Sequence, residues 1–378
     1  MAAENRADVA IVGAGIVGLA HAYAAAQRGQ HVVVFERHAR ATGASIRNFG
    51  MILPIGMAPG PMLARALHSR AIWLDLAAKA GFWHNPCGAL FLAYQADELQ
   101  VLREFAARAP ALGYPCELLD AAGVLARSQA VKPAGLLGGL FSATEIIIDP
   151  REAVARLAAY LQAECGVEFR FRQTVTVIEP PRVRANSDVW NAERVIVCGG
   201  TDFETLFPGL LRRSGLTRCK LQMQRTAPQP NGWQLGPMLA TGLSLPHYAA
   251  FADCSSLPAL RARIARETPE LVRWGIHLLV SQNAAGELTL GDSHEYDDEP
   301  DPFDKPEIDS LILRQAQTFL NAPSFEIRQR WHGMYARHPD LDTLVLKPHP
   351  HVALVNGVGG AGMTISFALA QETLDLWN

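Results

Sequence analysis

The start of the chain reads as a strand, a glycine-rich turn, a helix and a second strand. Asp8–Val12 is a short apolar run with β-branched residues, which predicts a strand. The turn Gly13–Gly18 has the sequence GAGIVG, and the alanine-rich segment Leu19–Arg28 favours a helix. His31–Phe35 predicts the second strand, and Glu36 follows it directly. This order restricts the N-terminal part to the βαβ unit of a doubly wound α/β fold.

The glycines and the acidic residue of this unit are spaced for binding an adenine dinucleotide. Gly13 permits the tight turn, Gly15 lets the backbone approach a pyrophosphate, and Gly18 lets the helix pack closely on the strand. The free N–H groups at the helix N-terminus attract phosphate. Glu36 stands where a carboxylate accepts hydrogen bonds from ribose hydroxyls. By itself the unit fits either NAD or FAD.

Segments farther along the chain favour FAD. Where an NAD-binding domain would usually continue with another helix and strand, Gly43–Met51 is a small polar loop that suits a chain passing a phosphate and a flavin ring. Val195–Gly200 predicts a buried strand that ends in two glycines. Val352–Val355 predicts another strand, and it runs into the glycine-rich stretch Asn356–Thr364 and a helix over Ile365–Leu376. One dinucleotide bound by both ends of the chain explains these features.

A further helix is predicted in the middle of the chain. Ile146–Asp149 reads as a strand whose last residue is an N-cap, and Pro150 takes the first helical position. The apolar face of this helix continues as far as Gly166. Strands are expected next at Val167–Phe171 and Thr174–Glu179. The alternation of strands and helices supports an α/β class.

Composition excludes several classes of protein. The chain has 34 Lys and Arg against 37 Asp and Glu, a net charge of −3, so we expect no nucleic-acid partner. The six cysteines are scattered without metal-ligand spacing, which predicts reduced thiols and no metal site. Glycines or prolines interrupt the apolar stretches Val9–Ala26, Thr226–Ala252 and Pro348–Gln371, so neither a signal peptide nor a membrane span is predicted. We therefore expect a cytoplasmic protein.

These motifs resemble the D-amino-acid-oxidase, glycine-oxidase and sarcosine-oxidase (DAO) family of FAD-dependent oxidoreductases, over nearly the whole chain. The segments that show this resemblance are DVAIVGAGIVGLA, VVVFER, ATGASIRNFGM, RVIVCGG, GELTLGDSHEYD, RWHGMYARHPD and NGVGGAGMTISFALAQE. The resemblance implies an α/β fold in which an FAD-binding Rossmann-like domain of the glutathione-reductase type is joined to an α+β substrate-binding domain of mixed sheet. We expect a discontinuous FAD-binding domain at 1–85, 140–220 and 325–378, and the substrate-binding domain at 86–139 and 221–324.

The resemblance also indicates which residues hold FAD. The first glycine turn would hold the pyrophosphate, Glu36 and Arg37 the ribose and adenine, and the last glycine-rich stretch would pass along the flavin ring. Val175 would offer its backbone to adenine. With the double glycine after the Val195 strand, the predicted FAD-binding residues are Gly13, Ala14, Gly15, Gly18, Glu36, Arg37, Ala44, Ser45, Phe49, Gly50, Met51, Val175, Gly199, Gly200, Val358, Gly359, Gly360, Ala361, Gly362, Met363 and Thr364.

Two departures from the family pattern concern the flavin and the substrate. Gly333 stands where members with covalent flavin have a cysteine, so FAD is expected to be noncovalent. In the family's amino-acid oxidases, a G-x-R-P element supplies an arginine that binds the α-carboxylate, and here Tyr335 stands at the arginine's position. A simple α-amino acid therefore fits this chain less well than it fits those oxidases.

The R-N-F-G and W-H-G-M loops are similar to those of a DAO subgroup associated with aminophosphonate breakdown. This similarity implies a small anionic amine as substrate, best 2-aminoethylphosphonate or its N-methyl derivative. Arg47 and Arg337 are the candidates for gripping the anion, because a guanidinium forms forked hydrogen bonds with phosphonate. Asn48 belongs to the polar set expected near the ring, while the candidates for the amine pocket are His277, His332 and Tyr335.

The expected reaction is a hydride transfer from the carbon beside nitrogen to the flavin, giving an imine that water hydrolyses. Oxygen or another acceptor would then take the electrons. Three alternatives stay open at the level of sequence. The chain could be a glycine, sarcosine or D-amino-acid oxidase, an FAD-dependent 2-hydroxy-acid oxidoreductase, or a flavin-binding subunit without catalysis of its own.

Overall fold

The computed structural model describes residues 5–377. In chain order the strands are β1 (Arg6–Val12), β2 (Val32–Glu36), β3 (Met51–Ile52), β4 (His84–Asn85), β5 (Ala89–Ala93), β6 (Cys116–Asp120), β7 (Gly138–Ser142), β8 (Ile146–Ile148), β9 (Glu168–Phe171), β10 (Val175–Glu179), β11 (Arg182–Ala185), β12 (Asp188–Val197), β13 (Thr217–Pro228), β14 (Met238–Ala240), β15 (Leu279–Gln282), β16 (Glu287–Gly291), β17 (Glu295–Asp297), β18 (Ile327–Arg337), β19 (Leu344–His349) and β20 (Val352–Asn356).

The α-helices are α1 (Ile16–Gln27), α2 (Pro61–Ala80), α3 (Ala96–Leu112), α4 (Ala121–Arg127), α5 (Pro150–Glu164), α6 (Pro208–Arg213), α7 (Leu257–Glu267), α8 (Pro269–Arg273), α9 (Pro306–Phe319) and α10 (Gly362–Asp375). Short 3₁₀ turns occur at Ala44–Ile46, Pro54–Gly56, Pro230–Gly232, Gly242–Ser244, Ala249–Phe251 and Gly359–Ala361. Among the described residues, none of these helices combines the length and the apolar character needed to cross a membrane.

An eight-stranded sheet contains the βαβ unit that the sequence predicts. Its parallel strands lie in the order β9, β2, β1, β12 and β20, and β10, β11 and β19 join them in antiparallel pairings. Val9 pairs with Val32 on one side and with Arg194 on the other. The predicted strands and helices at the chain ends and between residues 146 and 197 are confirmed, as is the Asp149 N-cap, whose side chain accepts from Arg151 N–H.

Helices cover one face of this sheet, and a second apolar cluster lies on the other. On the helical face, α1, α5 and α10 pack against Val9, Ile11 and Val34, all of which are buried. Almost the whole of α1 is buried, which explains why its sequence is alanine-rich and shows no polar stripe. On the opposite face, Phe35 packs edge-to-face against Trp190 of β12 at 5.5 Å between ring centroids. The parallel sheet with helices packed on it confirms the predicted Rossmann-like domain.

A nine-stranded sheet forms the second large layer and is mixed, as predicted. β5 and β14 pair in parallel, and β13 pairs antiparallel with β16, β17 and β18. β18, from the segment that the sequence assigns to the FAD-binding domain, pairs with β13 along nearly its whole length. The exact domain boundaries stay a prediction. A small sheet of β3, β8 and β4 completes the fold.

Candidate active site

A cavity of about 850 Å³ is lined by residues from both large sheets. The first glycine turn and the ends of β12 and β20 line one part of it. β13, β15 and β18, together with the loops after β14 and β16, line the other part. The cavity therefore joins the predicted dinucleotide site to the mixed sheet.

The first glycine turn is packed as the sequence predicts. Gly13 has φ +104°, and a Cβ on it would lie 2.5 Å from the Cys198 carbonyl oxygen. A Cβ on Gly18 would overlap the Gly13 carbonyl, so the helix can approach the strand only through glycine. Gly15, the N-cap of α1, has no side chain to cap the helix. Its N-terminus opens onto the cavity, as an anion site requires.

Glu36 occupies the end of β2 with a buried carboxylate. One oxygen accepts from Ala14 N–H at 3.0 Å and the other from His38 N–H at 2.9 Å. Arg37 forms an ion pair with Asp202 across the cavity mouth. Burial would raise the pKa of Asp202, but hydrogen bonds from Arg37 and Thr205 hold it below its usual value. This end is therefore a polar site suited to a ribose and an adenine.

The second glycine-rich stretch lies beside the first. The 3₁₀ turn Gly359–Ala361 leads into α10, and Thr364 Oγ1 in its first turn accepts from Leu53 N–H at 3.0 Å. Phe367 of α10 packs edge-to-face on Tyr23 of α1 at 5.9 Å between centroids. The N-termini of two helices thus face one cavity.

The residues present fit FAD. Nearly all of the predicted FAD-binding residues line the cavity, the exceptions being Ala14 and Gly50. Ala14 instead donates its N–H to Glu36, and Gly50, at φ +72°, has its carbonyl bonded to Ile148 N–H of β8. A Cβ on Gly50 would overlap the Ile148 carbonyl, so that glycine serves close packing. FAD bound here would supply the hydride acceptor of the reaction.

The far end of the cavity is lined by aromatic and titratable side chains. His277 and Asp292 are buried, with His277 Nε2 3.4 Å from Asp292 Oδ1. His294 Nε2 lies 3.8 Å from Asp292 Oδ2. The ring of His247 stacks on that of His277, with 3.6 Å between centroids. The Arg337 guanidinium lies over the Tyr296 ring, 4.9 Å from its centroid.

Burial dominates the electrostatics of this group. It raises the pKa of Asp292 to about 6, although the nearby His294 acts in the opposite direction. Burial, reinforced by neighbouring positive charge, also holds the pKa values of His247 and His277 well below the usual value. The pKa of Tyr335 lies well above its usual value for the same reason, with further contributions from Cys219 and Tyr296. Both of those imidazoles and the phenol are neutral at pH 7.

The structure brings most of the predicted substrate residues to the cavity. Arg47, Asn48, His277, Tyr335 and Arg337 line it. Asn48 also holds its own loop together, since its amide donates to the Ala44 and Ser45 carbonyls. The exception is His332, which lies outside the cavity lining and whose Nδ1 is 2.8 Å from Asp304 Oδ1.

Sequence reasoning missed Asp292, His294 and His247. The first two directly follow the apolar end of β16, and both are buried. A polar pair that continues an apolar strand is a usable signal, because buried polar groups are seldom without a role or a partner. His247 lies in an irregular loop and offers no comparable pattern.

The fold and the cavity define a flavin-dependent oxidoreductase. The model of the FAD-dependent oxidoreductase (DAO) family matches residues 8–376, and the chain belongs to this family. A curated relative, the tRNA 5-methylaminomethyl-2-thiouridine biosynthesis bifunctional protein MnmC of Burkholderia multivorans, is 28% identical over 267 residues. That match covers 68% of this chain but only 38% of the relative's length.

Solved structures share the fold at low sequence identity. Glycine oxidase from Geobacillus kaustophilus superposes with a TM-score of 0.76 at 19% identity, covering 99% of this chain and 95% of its own. The FAD-bound L-α-glycerophosphate oxidase of Mycoplasma pneumoniae gives 0.77 at 20% identity, covering 99% and 95%. L-Proline dehydrogenase from P. horikoshii gives 0.76 at 18% identity, covering 99% and 93%. Family membership assigns FAD as the cofactor.

Proposed function

We propose that this protein oxidises the carbon–nitrogen bond of a small amine that carries an anionic group. The best candidate substrate is 2-aminoethylphosphonate or its N-methyl derivative, and the product imine would hydrolyse to an aldehyde. Noncovalently bound FAD would accept the hydride, and oxygen or another acceptor would reoxidise it.

This proposal rests on two cavity arginines that form no ion pair with a carboxylate of residues 5–377. Among residues 5–377 three arginines line the cavity, and one of them, Arg37, is paired with Asp202. No carboxylate in residues 5–377 forms an ion pair with Arg47 or Arg337. One Arg47 nitrogen donates only to the His332 carbonyl, at 3.3 Å. A guanidinium without a carboxylate partner favours a bound anion, and two of them suit a phosphonate dianion.

The residue at the position of the family's carboxylate-binding arginine supports an anion other than an α-carboxylate. Tyr335 is neutral and largely buried, and its hydroxyl lies 3.9 Å from the place of a Cβ on Gly360, close to the second glycine stretch. A neutral hydroxyl binds a carboxylate more weakly than a forked guanidinium does. The anionic group would therefore sit farther from the reacting carbon, nearer Arg47 and Arg337.

Noncovalent binding of FAD is supported by the thiols. Within the described residues, Cys198 is the one cysteine of the cavity lining, and it lies behind the first glycine turn. Gly333, at the linking position, faces the Arg47 carbonyl and Leu221, each 3.2 Å from the place of a Cβ. Cys219, beside Tyr335, is fully buried and does not line the cavity.

Two other activities compete with this proposal. Because the chain shares its fold with glycine oxidase, glycine, sarcosine or a D-amino acid is an alternative substrate. The shared fold of α-glycerophosphate oxidase keeps oxidation of a hydroxyl group, as in a 2-hydroxy acid. A flavin-binding subunit without catalysis is disfavoured by the titratable cluster in the cavity, which a scaffold would not need.

Anaerobic reduction of the flavin by a substrate panel tests the proposal. The panel contains 2-aminoethylphosphonate, its N-methyl derivative, glycine, sarcosine, D-alanine and lactate, and the flavin absorbance is followed. We expect the two aminophosphonates to reduce the flavin fastest. If D-alanine or sarcosine is faster, Tyr335 has been misinterpreted and the amino-acid alternative holds. If lactate alone reduces the flavin, amine oxidation is wrong.

A further inference from the structure

The recess around Asp292 contains buried polar atoms without hydrogen-bond partners. They are Asp292 Oδ1 and both ring nitrogens of buried His277. His294 Nδ1 lies 2.9 Å from the Gly275 carbonyl, which can only accept, so Nδ1 donates this hydrogen bond. His294 Nε2 lies 3.8 Å from Asp292 Oδ2, too far for a hydrogen bond. Because a buried carboxylate oxygen without a donor is costly, the described residues leave this recess suited to a ligand that donates hydrogen bonds.

The charges around the recess favour a cationic donor. Asp292 brings a carboxylate, and His247 and His277 are neutral at pH 7. Arg337 is the guanidinium of this end of the cavity, but it is exposed and lies over Tyr296. The titratable and charged groups that face Asp292 are His247, His277, His294, Tyr248, Tyr335, Cys219 and Arg337.

We propose that this recess binds the ammonium group of the substrate and that Asp292 takes its proton. The inference rests on the proposed amine oxidation and adds to it the residue that makes the amine reactive. An alkylammonium with a pKa of about 10, like that of lysine, is almost wholly protonated at pH 7 and has no lone pair. It must lose a proton before its nitrogen can form a double bond to carbon.

The proton and electrons balance as follows in this site. One N–H bond of the ammonium breaks, and an O–H bond forms on the Asp292 carboxylate. The freed nitrogen lone pair forms the C=N bond as the neighbouring carbon loses its hydride, whose two electrons bound FAD would accept. The acceptor nitrogen of neutral His277 holds one of the remaining N–H groups and so positions the amine.

Three imidazoles of the recess lie close enough together to hold a metal ion, which is the competing interpretation. The ligand nitrogens of His247, His277 and His294 lie within 4.8 Å of one another. The rings of His247 and His277 stack at an angle of 24°, those of His277 and His294 at 25°, and those of His247 and His294 are tilted by 47°. The metal content of the purified protein distinguishes the two interpretations.

Anaerobic stopped-flow reduction by 2-aminoethylphosphonate tests the inference in the FAD-loaded wild type and in Asp292→Asn. The plateau rate and the apparent Kd are measured from pH 5 to 10, and ethylphosphonate, which has no amine, serves as a competing ligand. Asp253→Asn is the matched control, since Asp253 is exposed and pairs with Arg108 outside the cavity. The metal content of the purified protein is measured in parallel.

In Asp292→Asn we expect the rate divided by Kd to fall about 100- to 10,000-fold at pH 7, the usual contribution of a general base. As the pH rises above 7, the variant's rate divided by Kd should increase about tenfold per pH unit, because the fraction of free amine increases by that factor. Competition by ethylphosphonate in Asp292→Asn should match the wild type, and so should the rates of Asp253→Asn. In the wild type, the same ratio should fall below pH 6, where Asp292 becomes protonated. This last measurement decides the matter if Asp292→Asn fails to bind FAD.

Three results would overturn the inference. The first is an Asp292→Asn pH profile parallel to that of the wild type, and the second is a wild-type ratio that stays level from pH 7 to 5. The third is one bound metal ion per chain that Asp292→Asn loses. If no amine reduces the wild-type flavin, the proposed function fails. If amines reduce it and Asp292→Asn is unaffected, only this inference fails.

Discussion

The Ser45 hydroxyl accepts a hydrogen bond from the backbone N–H of Ile16 at 2.9 Å, which ties the loop after β2 to the first residue of α1. Because Gly15 provides no capping side chain, Ser45 caps this helix from a distance. The contact places the loop and the helix N-terminus at the same point of the cavity, where the pyrophosphate is expected.

Gly15→Val should abolish FAD binding. The Cβ alone would lie 3.0 Å from Ser45 Oγ, and the added methyl groups would fill the space of the pyrophosphate. The measurement is the flavin-to-protein absorbance ratio after purification. Gly209→Val in the exposed helix α6 is the control and should retain FAD. Full flavin content in Gly15→Val would remove the first glycine turn from the cofactor site.

Arg47→Met should weaken substrate use while leaving the flavin spectrum unchanged. Loss of a hydrogen bond to a charged group costs about 1.5–3 kcal/mol, so kcat/KM should fall by about one to two decades. Arg328→Met, on β18 and paired with Glu326 in solvent, is the matched control and should behave as wild type. If FAD is lost as well, Arg47 belongs to the cofactor site and the anion must be held by Arg337.

The flavin should be released by acid. Since Cys198, behind the first glycine turn, is the one cysteine that lines the cavity among residues 5–377, precipitation with acid should leave the yellow colour in the supernatant. The absorbance of the supernatant and of the redissolved pellet measures this directly. Colour retained in the pellet would show a covalent bond to some other side chain.

The stability gained by Asp292→Asn over the wild type should be larger above pH 6 than at pH 4. The carboxyl has a pKa of about 6 in the folded state against an ordinary value of 3.8 in the unfolded chain, so unfolding releases a proton between these values. Wild-type stability therefore falls as pH rises through this window, by about 3 kcal/mol for two pKa units, and the variant escapes the loss. Thermal unfolding of both proteins in excess FAD at several pH values measures it. A Tm difference independent of pH would contradict the assignment.

The dinucleotide part of the fold could be predicted because its signals are local. The turn Gly13–Gly18, the N-cap Asp149 and the glycines after Asn356 each determine a conformation within a few residues. The structure confirms the strands and helices around them. Most of the cofactor site follows from these elements, because glycines and helix N-termini are recognisable from sequence.

The individual strands of the mixed sheet could not be predicted from the sequence. Each strand pairs with strands that are distant in sequence, and buried polar residues interrupt the apolar pattern that would indicate a strand. β13 buries Lys220, Gln222 and Gln224, which read as a polar, exposed segment. Their polar atoms find acceptors far along the chain: Lys220 Nζ donates to the Asp301 carbonyl at 2.7 Å, and Gln224 Nε2 to that of Asp309 at 2.6 Å. Only the folded topology reveals these partners, and the same is true of Asp292 and the histidines.

Strand β18 connects the mixed sheet to the wall of the flavin site. This connection limits which segments of the chain could be replaced by those of a relative. Along most of its length it is paired with β13, and at its last residue, Arg337, it forms a bridge to Val358 in the second glycine stretch. The backbone that carries a candidate anion-binding arginine is thus continuous with the wall of the flavin site. A chimaera that borrows specificity from a relative should therefore take β13, β18 and the C-terminal glycine stretch as one block.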